Sequence, residues 1–169
     1  MIQTAVLYFP KKHFSPRFGD KFFTYDLTDY RNDDTNDIYC CGNQATFYSI
    51  MVSCGKDSWI VKRRYSEFVK LRVSIIQGIL GHNIEMNNNI DRIVHKDSVV
   101  LDKTDLPSLP PKTLLSIMND DNALDQRKKE LDVFLDKLLS YLSSNNLLQL
   151  KCLRQFLGMI DDSEDTFED

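Results

Sequence analysis

The chain has 169 residues, 42% hydrophobic and 27% charged, with a formal net charge of −4. That is enough chain for one core without metal or disulfide staples. No run approaches the roughly 18 apolar residues of a membrane span, and the N-terminus lacks a compact secretory core. The balance of charge is uneven. Residues 161–169 hold six acids and no base; without them 19 acids face 21 bases, so residues 1–160 carry +2. A body so mildly basic does not bind nucleic acid by charge alone, although it can hold one compact cationic pocket. Cys40, Cys41, Cys54 and Cys152 form no CxxC or other metal spacing. They read as reduced thiols packed as small hydrophobes in a cytosolic protein, with no cofactor and no metal implied.

In chain order, residues 1–20 read as an N-terminal extension. Its apolar patch at 5–9, stopped by Pro10, is either an edge strand or an appendage. Residues 22–30 alternate loosely and predict a strand, followed by an Asn- and Asp-rich loop at 31–37. Residues 45–53 predict a second strand, and Gly55 begins a short turn into a third at Trp59, Ile60 and Val61. The expectation is a three-stranded antiparallel meander.

At Arg63, Arg64 and Tyr65 the strand pattern gives way to a helical one, with Phe68, Leu71 and Ile75 at helical spacing. Two neighbouring guanidinium groups favour an anion between or beside them, and their planar forks suit phosphate. Tyr65 adds a flat ring on which a ring-shaped ligand can rest. This helix is expected to end near Gly78 or Gly81, where glycine suits a C-terminal cap. Residues 82–105 then read as a surface insertion.

Leu106-Pro-Ser-Leu-Pro-Pro-Lys112 carries three prolines in five residues, which fix an extended, polyproline-like turn. It is a rigid loop that aims Lys112; alternatively, Pro107-x-x-Pro110-x-Lys112 serves as a ligand for Src-homology-3 domains. Leu114, Leu115, Ile117 and Met118 follow, apolar residues consistent on their own with a buried helix start. Over 124–142, Leu124, Leu131, Phe134, Leu135, Leu138, Leu139 and Leu142 form one helical stripe. Arg127 interrupts it. Either it makes a structural ion pair or snorkels at the stripe's edge, or it points into a pocket for an anion. Residues 147–160 predict a last amphipathic helix. The acidic tail at 161–169 reads as a solvated segment, with two alternatives: it shields the basic pocket, or Ser163 or Thr166 is phosphorylated.

Taken together, these pieces resemble a known family. Strand-strand-Arg-Arg-Tyr-x-x-Phe, a Leu-Pro-Pro-Lys loop, a helix opening Arg-Lys-Lys-x-Leu-x-x-Phe-Leu and a closing Leu-Arg-Gln-Phe-Leu follow one another in the order of a phox-homology (PX) domain, over roughly residues 22–159. The resemblance implies an α+β fold, a three-stranded antiparallel sheet packed against a helical subdomain with a proline-rich loop, here spanning residues 21–160. It implies a lipid-binding module and no catalytic residues.

Members of that family, sorting nexins among them, bind phosphoinositides on endosomal membranes, most often phosphatidylinositol 3-phosphate. Carried over, Arg64 holds the 3-phosphate and Tyr65 packs on the inositol. Lys112 meets the 1-phosphate, Arg127 reaches the 4- and 5-hydroxyls, and Arg63 adds a charge on the rim. Leu114, Leu115, Ile117 and Met118 become the loop that dips into the bilayer. The implied setting is cytoplasmic, peripheral to endosomal or vacuolar membranes. The alternative is a protein-interaction adaptor that uses the proline loop or the insertion and keeps a vestigial lipid pocket.

Overall fold

The computed structural model describes residues 7–34, 44–88, 106–111 and 121–159. Lys112, Leu114, Leu115, Ile117, Met118, residues 89–105 and the acidic tail lie outside them. Four strands form one sheet in sequence order: β1 (Leu7–Tyr8), β2 (Phe22–Asp34), β3 (Gln44–Cys54) and β4 (Asp57–Arg64). Strands β2, β3 and β4 are the expected antiparallel meander, closed by a tight turn at Gly55. The sheet is larger than predicted. β1 adds a fourth strand, parallel to β2 with Leu7 opposite Phe22, so the patch before Pro10 is an edge strand. The expected loop at 31–37 begins later, because β2 keeps pairing with β3 as far as Asp34 opposite Gln44. β2 slips register between Leu27 and Asp29. At this bulge Thr28 turns its carbonyl out to accept from Lys128 Nζ at 2.6 Å.

Among the described residues three α-helices cover one face: α1 (Tyr65–Asn88), α2 (Asp121–Ser144) and α3 (Lys151–Phe156). All seven apolar residues of the predicted α2 stripe are buried. All of them but Leu124 meet Phe23, Ile50 and Val52 from the sheet and Phe68, Leu71 and Ile75 from α1 in one core. Each such side chain stabilises the fold by about 1.5–3 kcal/mol. Phe68 sits at the centre, edge-on to Tyr48 at 6.1 Å and to Phe156 at 5.0 Å.

Two helix ends differ from the sequence reading. α1 passes both candidate glycine caps and runs to Asn88. Gly78 is there for contact instead, since a Cβ on it would lie 3.2 Å from Leu150 Cδ2. The last helix is shorter than predicted, because α2 is closed by a Schellman turn that occupies the residues before it. Asn146 takes φ 57°, Leu147 N–H returns to Leu142 O at 2.8 Å and Asn146 N–H to Ser143 O. Gly158, with φ 66°, closes α3 in the same way through Met159 N–H to Arg154 O.

Candidate functional site

The site is built where β4 becomes α1. Side chains of a strand alternate between faces, so adjacent Arg63 and Arg64 diverge. Arg64 stands opposite Phe47 of β3, is exposed, and places its guanidinium 5.8 Å from the centre of that ring. Its backbone N–H donates to Glu67 Oε2 at 2.7 Å, half of a capping box that starts α1 at Tyr65. The strand-to-helix switch is thus fixed by a carboxylate three residues into the helix.

Arg63 points the other way. Its Nε donates to Phe156 O at 2.8 Å and its Nη2 to Gln155 O at 2.9 Å, and the guanidinium lies 5.5 Å from the Phe156 ring. These carbonyls lie at the C-terminal end of α3, where a cation is also favoured by the helix dipole; Gln155 O accepts from Gly158 N–H at 3.0 Å as well. Trp59 Nε1 serves the next one, Leu157 O, at 2.8 Å. Arg63 was expected on the headgroup rim; it is instead a clamp between β4 and α3, because a one-residue step along a strand reverses the side chain.

Opposite the β4–α1 junction lies the proline segment 106–111. Prolines have no N–H, and their carbonyls are their only backbone hydrogen-bonding groups. Three of these accept from side chains. Tyr65 Oη donates to Pro110 O at 2.6 Å, Arg72 Nε to Pro107 O at 3.0 Å, and Arg127 Nη2 to Pro111 O. Arg127 also lies over the Tyr65 ring, its guanidinium carbon 4.6 Å from the centroid, a cation–π stack that favours a flat guanidinium. Among the described residues Arg127 engages a carbonyl and an aromatic face rather than a carboxylate. Its charge also reaches the core. The Tyr48 hydroxyl is pushed up to about 12 by burial, with nearby Arg127 acting in the opposite direction.

The fold therefore brings Tyr65 and Arg127 into contact, sets Arg64 one residue before Tyr65, and turns Arg63 away. Arg72 was not singled out from the sequence. Its signal was there, seven residues after Tyr65 and so on the same face of α1. On the outer side of the proline segment an open groove of about 730 Å³ runs along α2, lined by Pro107, Leu109, Pro111, Lys129, Val133 and Lys137 among others.

A family model of the PX domain matches residues 52–159. The chain belongs to the PX domain family. The matched part begins inside β3 and contains the β4–α1 junction, the proline segment, α2 and α3. Among solved structures, a designed CISK-PX domain studied by X-ray crystallography is 20% identical, with a TM-score of 0.50 over 79% of this chain and 96% of that one. That likeness concerns the fold. PX domains are lipid-binding modules and not enzymes, and this chain is a phosphoinositide-binding, membrane-targeting module of that kind. No helix among the described residues is long and apolar enough to cross a membrane.

Proposed function

We propose that this PX domain recognises phosphatidylinositol 3-phosphate and recruits its protein to endosomal or vacuolar membranes in trafficking or sorting. The observation that carries the reading is the stack of Arg127 on Tyr65, immediately after Arg64 in the chain. In it an exposed cation, an aromatic plane and a second cation follow one another, as a phosphorylated ring would require. Arg64 holds the 3-phosphate, Tyr65 supports the inositol ring, and Arg127 donates to the 4- and 5-hydroxyls and crowds out further phosphates. Lys112 meets the 1-phosphate, and Leu114, Leu115, Ile117 and Met118 enter the bilayer beside it. A second reading is favoured by the groove of about 730 Å³ beside the proline segment: it accepts a protein partner, with the lipid pocket vestigial.

Sedimentation with liposomes that each carry one phosphoinositide separates the two readings. Selective pelleting with the 3-phosphate lipid, lost in Arg64→Ala, is the expected result. One charged contact of this kind is worth on the order of 1.5–3 kcal/mol, at least tenfold in affinity. Pelleting with no phosphoinositide, or equal pelleting by Arg64→Ala, would overturn the lipid reading and leave the groove.

A further inference from the structure

The segment 7–22 precedes the part matched by the family and builds a surface of its own. After β1 the chain turns through two short 3-10 helices, Lys11–His13 and Pro16–Phe18, before entering β2. Three phenylalanines interlock there, with ring centroids 5.5 Å apart for Phe9 and Phe18, 5.2 Å for Phe9 and Phe22, and 5.8 Å for Phe18 and Phe22. Phe18 remains 45% exposed. Lys11, Lys12, Arg17 and Lys21 are exposed on the same short segment, whose one acid is Asp20. Lys11 is paired with Asp26. An aromatic centre with a basic rim is complementary to an acidic segment that carries an aromatic anchor.

Such a segment lies within this chain. Residues 161–169 hold six acids, no base and one aromatic residue, Phe167. They are outside the described residues, but the point from which they start is fixed. Gly158 packs on β4, where a Cβ would lie 3.3 Å from Trp59 Nε1. Trp59 is four residues beyond Gly55, about 13 Å at the strand rise. Gly55 in turn lies against Gly19 and Asp20, where a Cβ would lie 3.2–3.3 Å from their backbone atoms. Residues 160–169 can span up to about 33 Å, so the aromatic surface is within their reach. Tethering at that range gives an effective concentration on the order of millimolar.

We infer that residues 161–169 dock on the Phe9, Phe18 and Phe22 platform, their carboxylates among Lys12, Arg17 and Lys21 and Phe167 against Phe18. The platform is remote from the lipid site. Phe23 pairs with Cys54, whereas Arg64 pairs with Phe47, seven residues away along β3 or about 23 Å. Docking therefore stands or falls independently of lipid binding.

Zero-length carbodiimide cross-linking of the full chain, read by mass spectrometry, tests it. The expected result is amide links within one molecule from acids of 161–169 to Lys12 and Lys21. They fall several-fold in Arg17→Glu, which removes no acceptor amine, and in Phe18→Ser. They vanish near 1 M salt, where the Debye length is about 3 Å. Links spread over lysines elsewhere, links confined to dimers, no links, or yields unchanged in both variants would each overturn the inference. Circular dichroism of the two variants, whose altered side chains are exposed, checks that the fold is retained.

Discussion

The guanidinium of Arg127 lies over the ring of Tyr65, and the two side chains donate to consecutive carbonyls, those of Pro111 and Pro110. One contact thus joins the start of α1, the proline segment and the first turns of α2. Tyr65→Phe keeps the ring and deletes one donor. It should lower stability to urea by about 0.5–1.5 kcal/mol and leave most of the lipid pelleting intact. Tyr65→Ala removes the stack as well, a further ~0.5–2 kcal/mol, and should abolish pelleting. Equal pelleting by the two variants would mean that the aromatic plane has no part in recognition.

Arg63 and Arg64 should separate cleanly in a comparison of stability with binding. Arg63→Ala leaves the Phe156 and Gln155 carbonyls without their charged donor and should destabilise the fold by about 2–4 kcal/mol. Its lipid pelleting, measured well below the melting temperature, should be retained. Arg64→Ala should show the reverse, with stability within ~0.5 kcal/mol of the parent and pelleting lost. Urea titration and liposome sedimentation of both variants decide it.

Alkali should unfold the domain in a way its tyrosines report. Tyr8 and Tyr25 are held above the ordinary phenol range first by burial, and then by neighbouring carboxylates: Asp136, to which Tyr8 Oη donates at 2.7 Å, and Asp132. Tyr48 is likewise raised, to about 12. A proton held more tightly in the folded state stabilises that state fully below the ordinary value near 10. The contribution is lost as pH rises through the folded values, because only the unfolded chain releases it early. The stability contributed by these tyrosines should therefore be level up to about pH 10 and fall beyond it. Tyrosinate absorbance from these groups should appear together with the loss of ellipticity, and full ionisation ahead of unfolding would contradict the prediction.

Gly158→Ala tests the turn that closes α3. The position combines φ 66° with a Cβ site 2.7 Å from Val61 Cγ1, so backbone strain and a clash add, at about 1–3 kcal/mol or more. Gly19→Ala is the control, with φ 79° but open space around it. Gly158→Ala should cost more stability in urea titration; equal losses would show that the packing against Val61 is not limiting.

The sequence made the meander, the α2 stripe and the Arg64, Tyr65 and Arg127 set visible, because each rests on a period or on a residue type whose chemistry is unusual at its place. What it hid depends on contacts between distant segments. Gly78 carries the local signature of a cap, yet its neighbour is Leu150, more than seventy residues on. Leu7 and Tyr8 are too few to announce a strand, and become one only because Phe22 and Phe23 offer a free edge. Arg63 and Arg64 look equivalent as a pair of cations. The register of β4 against β3 assigns them different work, and register follows from the Gly55 turn and the buried face as a whole.

The proline segment is gripped by its carbonyl oxygens at Pro107, Pro110 and Pro111. A main-chain acceptor is present whatever side chain accompanies it, so the grip places few demands on residue identity beyond a backbone that holds the extended course. Mutational drift can therefore rewrite the outward rings and methylenes of this stretch, and with them the wall of the α2 groove, while Tyr65, Arg72 and Arg127 continue to find the same partners. Lineages are free to vary what the outer wall displays without disturbing the inner one.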